Sequence, residues 1–344
     1  PHKPQVHPRI HPQLAQHLNL EPNNLAGTKR SFTFAGLALS ATVLAQTIPA
    51  LAATPTSGFN KVRIASHFDL ATGQQPENIA LEPRGAVDLN MSVARQVVRL
   101  YPDGRQQVLA QLPLPADGGV HTPLLGFPLI TGLVRDDDGT LYFLYATGTS
   151  DQTGLWRLRP GGTPERITAL PANSLPNGLG LDPVRGELYS ADSALSTVWR
   201  MPLSGGVATA WASGPELAPQ GSLGANGLKV HKDAVWVTNT SLGTITRIPI
   251  RRHGAAGTFE TKATGLPGID DFAFIPGSDR IIATLDSQNK VAFVEPNGRH
   301  TIALTGRGGL ENPTSIAVRG NTVYISSAAW SLRKDPNLII ARMP

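Results

Sequence analysis

Residues 177–202 read NGLGLDPVRGELYSADSALSTVWRMP, and the stretch divides into four parts. Asn177-Gly178-Leu179-Gly180-Leu181 alternates apolar and small residues. A turn follows from Asp182-Pro183 to Gly186. A second apolar run, Leu188-Tyr189-Ser190, ends at Asp192, and Trp199-Arg200-Met201-Pro202 closes the unit. Period-two alternation over short runs, punctuated by Gly, Pro and Asp, predicts antiparallel strands rather than helix. The pattern returns from Asn226 as NGLKVHKDAVWVTNTSLGTITRIPI. A unit of this length, with about four short strands, is the size of one propeller blade.

Aligned to that unit, first strands open at Glu77, Thr131, Asn177, Asn226, Asp270 and Thr314, which makes six units. Third strands carry a recurring arginine at Arg99, Arg157, Arg200 and Arg247, expected to be solvated outer positions. The last residues, Ile340 to Pro344, share the third-strand phase of Trp199 to Pro202, so the sixth unit lacks an outer strand. An exposed edge is a liability. Val62–Phe68 (VRIASHF) resembles the outer strands Gln107–Leu112 and Arg166–Leu170 and is expected to pair there. The fold class is therefore all-β: a six-bladed β-propeller over residues 53–344, closed by an N-terminal outer strand that completes the last blade.

Composition agrees. The 35 glycines and 29 prolines among 344 residues suit a turn-rich β domain, and a core of this size needs no disulfide from a chain that has no cysteine. Residues 1–27 are rich in Pro, His and Gln and lack an apolar period; His2, His7, His11 and His17 match no defined metal spacing, so a disordered extension is expected. Lys29 and Arg30 precede the apolar run Phe32–Ile48 and an Ala50-Leu51-Ala52 site. Residues 28–52 thus read as a secretory signal peptide cleaved before Ala53. The run is too diluted by Ser40, Thr42, Gln46 and Thr47 for a membrane anchor. Secreted or periplasmic localisation follows as the expectation. Residues 1–52 hold four of the 30 Lys/Arg and one of the 25 Asp/Glu, so most of the net charge of +5 lies outside the propeller. No basic stripe interleaved with aromatics remains, which argues against nucleic acid as a partner.

Loops that open the inner strands face one end of a propeller's channel. They bring Glu77, Thr131, Asn177, Asn226, Asp270 and Thr314 into a ring. Glu77, Asn177, Asn226 and Asp270 are oxygen donors of the kind hard cations take, and suit Ca²⁺. The ring has no His or Cys, which argues against Zn²⁺. Taken singly, Asn-Gly and Asp-Asp make turns; two carboxylates at equivalent phases, costly if unpaired, favour a metal. The loops after the second strands offer a surrounding set of substrate contacts, Asn90, Asp192, Asn239 and Asp286. His121 and Tyr145 join them from segments long enough to reach the channel mouth. Asp136-Asp137-Asp138-Gly139 lacks the spacing of an EF-hand and reads as an acidic hairpin turn.

The ordered set Glu77, Asn177, Asn226 and Asp270 resembles the senescence-marker-protein/gluconolactonase family and the related diisopropyl fluorophosphatase-type propellers. The resemblance spans Val62 to Pro344. It implies a divalent metal, usually Ca²⁺, on Glu77, Asn226 and Asp270, with Asn177 a ligand or substrate contact. The chain departs from the family where Glu77 and Asp270 are followed by Asn78 and Asp271 instead of Gly. No Gly-x-Ser-x-Gly elbow, His-Glu-x-x-His, phosphate loop or dinucleotide fingerprint is present. The leading expectation is a secreted Ca²⁺-dependent hydrolase of lactones or related esters, with a small-molecule substrate and Asp270 as base. The alternative is a non-catalytic ligand- or protein-binding propeller with a structural cation.

Overall fold

The computed structural model describes residues 58–344; the expected extension and signal peptide lie outside the described residues. Six four-stranded antiparallel sheets form the ring. Their inner strands are Pro76–Leu81, Leu129–Arg135, Pro176–Asp182, Ala225–Val230, Ile269–Phe274 and Pro313–Arg319, numbered here as blades one to six. Blade three shows the plan: Pro176–Asp182, Glu187–Asp192, Thr197–Pro202 and Thr209–Ser213 pair in sequence order. No helix among the described residues is long and apolar enough to cross a membrane.

The last sheet joins the two ends of the described chain. Asn60–His67 pairs antiparallel with Asn337–Arg342, with Ile64 opposite Ile339 and Asn60 opposite Arg342. Val62 and Ile64 lie half-buried on the cluster formed by blades five and six, and Phe59 packs against Phe293 at 5.2 Å between ring centroids. The third strand of blade six thereby gains the partner it would otherwise lack.

The core is divided among the seams. Each of the six blade-to-blade interfaces holds its own apolar cluster. Leu144, Leu155 and Leu170 of blade two, for example, meet Leu179, Leu188 and Met201 of blade three. Alternation puts one face of each strand into each seam, and fully burying such a side chain contributes about 1.5–3 kcal/mol.

A second device recurs at every seam. A Ser or Thr hydroxyl donates to a carbonyl at the opening of the next inner strand. Ser92 reaches Ile130 O at 2.9 Å, Thr131 reaches Pro176 O at 2.7 Å, and Ser193 reaches Ala225 O at 2.6 Å. Thr238 reaches Asp270 O at 2.6 Å, Thr284 reaches Thr314 O at 3.2 Å, and Thr314 reaches Pro76 O at 2.8 Å. These bonds tie each blade to the opening of the next inner strand.

The third-strand arginines depart from expectation. They are not simply solvated: Arg99 is bonded to Asp88 at 2.7 Å and to Glu82 at 2.6 Å, and Arg247 to Glu260 at 3.0 Å. Their stems lie along strand surface while the guanidinium heads cross-link neighbouring strands. The Asp136–Gly139 segment forms the expected hairpin turn, with Gly139 N donating to Asp136 O at 3.0 Å.

Candidate functional site

The pairing register explains how side chains of inner strands come to face the channel. In blades one, three, four and five the ladder skips two residues at its start. The skipped pairs are Glu77-Asn78, Asn177-Gly178, Asn226-Gly227 and Asp270-Asp271, each opposite a single residue of the second strand. Such a bulge twists the strand and re-aims a side chain. Blades two and six skip only one residue, Gly132 and Thr314. Their opening threonines are committed to blade-to-blade bonds instead. The ring of six thus separates into four bulged donors and two structural hydroxyls.

In blades three, four and five the second residue of the bulge points at the next blade. A Cβ on Gly178 would stand 2.2 Å from Asn226 O, and one on Gly227 2.6 Å from Asp270 O, so only glycine fits there. At blades one and five the second residue carries a side chain, Asn78 and Asp271, and both are buried. Asn78 N donates to Asn90 Oδ1 at 2.6 Å. Asp271 accepts from Ser315 Oγ at 2.6 Å and from Lys229 Nζ at 2.7 and 3.0 Å. Asp271, where blades three and four have glycine, thus ties blade five to blades four and six.

Glu77, Asn177, Asn226 and Asp270 are all buried. Asn177 Nδ2 donates to Ser193 Oγ at 3.2 Å and Asn226 Nδ2 to Thr240 Oγ1 at 2.9 Å. Those bonds fix the amides and leave both Oδ1 atoms without a protein partner among the described residues. Trp330 Nε1 donates to Glu77 Oε2 at 3.1 Å. No lysine, arginine or histidine forms an ion pair with Glu77, Asp270 or Asp286 among the described residues; Lys229, the nearby cation, pairs with Asp271.

Electrostatics follow from that imbalance. Burial, then the charges of Asp286 and Asp271, push the Glu77 carboxyl up to about 8, against the bond from Trp330. Asp270 is raised well above the usual range by burial and by Glu77, Asp286 and Asp271 in turn; the Asn226 amide opposes this. Burial pushes Asp286 up to about 7, with Asn312 opposing, and its Oδ1 is a buried atom without a partner. Asp286 raises both Glu77 and Asp270, and Glu77 raises Asp270, so the three carboxylates share one electrostatic site.

The remaining expected contacts lie elsewhere. Asp192 accepts from Ser174, Leu175 N, Ala194 N, Leu195 N and Trp199 Nε1. Asn239 joins Glu216 O and Ala218 O to Ser241 and Leu242 N. Tyr145 is fully buried and donates to Pro113 O at 2.7 Å. His121 is exposed and pairs with Asp117 at 2.8 Å. Of the surrounding set, the structure brings only Asp286 into the carboxylate group. Sequence reasoning missed Trp330, which lies in the loop after the second strand of blade six, as Asp286 lies after that of blade five.

Among the described residues no three His, Cys, Asp or Glu side chains group as a metal site. The donor set is instead two carboxylates and two amide oxygens, all hard, with an unmatched negative charge beside them. That chemistry fits a hard divalent cation.

No protein-family model matches the sequence, and no curated protein matches it. Solved structures do. A gluconolactonase from Xanthomonas campestris is 17% identical, over 83% of this chain and 96% of that one, with a TM-score of 0.59. A calcium-binding protein, regucalcin, from Agrobacterium tumefaciens is 16% identical over 81% and 93%, with a TM-score of 0.58. Virginiamycin B lyase from Staphylococcus aureus is 15% identical over 83% and 100%, with a TM-score of 0.56. At these identities the likeness shows the propeller fold.

Proposed function

We propose that the chain is a metal-dependent hydrolase of lactones or related esters, holding a divalent cation, Ca²⁺, at the channel mouth. The observation that carries this reading is the carboxylate group, buried Glu77 and Asp270 with half-buried Asp286, and no cationic side chain paired to any of them among the described residues. An uncompensated buried charge of that size is costly unless protonated or met by a cation. Glu77, Asn177, Asn226 and Asp270 are the proposed ligands. The gluconolactonase and calcium-binding names of two structural neighbours agree with it.

Bound there, the cation would supply Lewis-acid polarisation of the carbonyl and hold neighbouring carboxylates ionised. The chain's own residues do the rest. Trp330 and the amide-fixing hydroxyls of Ser193 and Thr240 hold the donors in place. Asp270 accepts a proton from water as its oxygen adds to the acyl carbon. The acyl C–O bond then breaks, the leaving alkoxide takes the proton, and a lactone opens to its hydroxy acid.

An apolar wall adjoins the centre. Leu129, Ala146 and Leu175 cluster with Leu125, Phe127 and Leu223 on the opening side of blades two to four. Phe127 meets Trp330 with ring centroids 6.2 Å apart. This wall suits the apolar part of a substrate and excludes water from the reacting bond. Export, supported by Lys29-Arg30 and Ala50-Leu51-Ala52, is part of the proposal.

A panel of lactones and phosphotriesters, assayed with and without chelator, tests the reading: chelator-sensitive ring opening supports it. The second reading is a binding propeller with a structural cation. It is favoured by Asn90, Asp192 and Asn239, whose polar atoms hold backbone or loops and leave few groups for a substrate. Cation binding without turnover would select it.

A further inference from the structure

We propose a second binding site, for a small hydroxylated anion, in a cleft of about 530 Å³ between blades three and four. It lies at the far ends of their inner strands. Asp182 closes the strand that Asn177 opens, roughly 17 Å of extended chain away. The proposal is independent of the channel chemistry.

Four arginines line the cleft, Arg185, Arg200, Arg251 and Arg252, against two acids, Glu187 and Asp233. Arg185 is held between Asp182 and Asp233 at 2.8 Å each, which leaves it oriented but neutralised. Arg200, Arg251 and Arg252 have no carboxylate partner among the described residues. Arg200 instead donates to Gly254 O at 3.3 Å, and Trp211 Nε1 to the same oxygen at 2.7 Å. Those bonds tie the Arg252–Gly254 turn of blade four onto blade three. Within that turn His253 adopts a left-handed φ of 65°, a conformation uncommon for a residue with a side chain.

At the floor, independent of the arginines, stands a fully buried phenol. Tyr189 has no exposure, and its hydroxyl has no hydrogen-bond partner among the described residues. Its ring is fixed edge-on to Trp211 at 4.9 Å. Oε2 of Glu187, which also lines the cleft, is buried and equally unpartnered among the described residues. A buried polar atom with no partner is costly, and two in one cleft need a common explanation. Burial and the charges of Asp182 and Glu187 push the phenol up to about 12, so it remains a donor.

The complement of this surface has two parts. A carboxylate or phosphate meets the unpaired guanidinium groups, which bind planar oxyanions well. A hydroxyl donates to Glu187 Oε2 and accepts from Tyr189. A sugar acid and a sugar phosphate both carry that combination, and the volume suits one sugar unit.

Calorimetric titration of the full chain separates the possibilities, with glucuronate and glucose 6-phosphate as probes and glucose and inorganic phosphate as controls. One sugar anion is expected to bind at least about tenfold more tightly than either control. Preference for glucuronate identifies a carboxylate site, and preference for glucose 6-phosphate a phosphate site. Tyr189→Phe should weaken binding about fivefold, and Arg251→Gln with Arg252→Gln about tenfold or more. Glu77→Gln, at the other face, should leave the affinity unchanged. Sugar anions binding no better than inorganic phosphate, or Tyr189→Phe binding as the wild type does, would reduce the cleft to an exposed basic surface and overturn the proposal.

Discussion

Trp330 Nε1 donates to Glu77 Oε2 at 3.1 Å, across the seam where blade six meets blade one. The indole sits in the loop that follows the second strand of blade six, and the carboxylate opens the inner strand of blade one. Closing the ring is therefore what brings the two together. That bond favours the ionised form of Glu77 against burial and the charges of Asp286 and Asp271.

Trp330→Phe keeps an aromatic ring against Phe127 and removes the donor. Glu77 should then titrate higher, and apparent Ca²⁺ affinity near pH 7 should fall about fivefold. Calorimetry at pH 7 and pH 9 checks this. The loss should shrink at the higher pH, where Glu77 is ionised with or without the bond.

Stability without metal should depend on pH in an unusual direction. Glu77 and Asp286 have folded-state values of about 8 and about 7, above the unfolded values of 4.5 and 3.8. Asp270 shifts the same way. The folded state therefore holds more protons between those limits. The stability these groups contribute is complete below pH 4 and is lost as pH rises through 7 to 8. In chelator, melting temperature should fall from pH 5.5 to pH 8.5; Glu77→Gln should flatten the profile, and Ca²⁺ should remove the fall. A chelated protein equally stable at both values would count against the carboxylate group.

The hydroxyl ties at the seams make a separate claim about architecture. Thr314→Val keeps the shape but leaves Pro76 O without its partner across the blade six–blade one seam. The loss should be about 1–3 kcal/mol in chemical denaturation, with the m-value unchanged. Val at Thr314 with wild-type stability would show the bond to be incidental.

Ring closure was legible because strand phase survives in sequence. Ile340 to Met343 carries the third-strand pattern, and the missing fourth strand had to come from the other end. Deleting the chain through Phe68 removes Ile64, Phe59 and the whole Asn60–His67 strand. The product should lose its cooperative thermal transition, and a truncated chain melting like the parent would refute the pairing.

Sequence pattern reached the ring of opening residues for the same reason, since Glu77, Asn177, Asn226 and Asp270 hold one phase of one repeat. Residue type alone set them apart from Thr131 and Thr314; the two-residue bulge that re-aims the four becomes visible only once pairing is known. Nor did it rank the loop residues. Asp192 ends the second strand of blade three and Asp286 directly follows that of blade five, yet Asp192 is met by five donors while Asp286 Oδ1 has none among the described residues. That difference lies in loop geometry, which alternation does not encode. Trp330 escaped because its partner, Glu77, stands 253 residues away in sequence.

The central claim is that the buried carboxylates answer to a cation, and titration of Ca²⁺ into the full chain tests it most directly. Wild-type protein, stripped with chelator, should bind Ca²⁺ saturably and melt higher with it, by mass action on the folded state. Glu77→Gln and Asp270→Asn should each weaken binding by about tenfold or more while folding normally, since each removes one charge and keeps the shape. No divalent-ion binding by the wild type, with both variants melting as it does, would contradict the account.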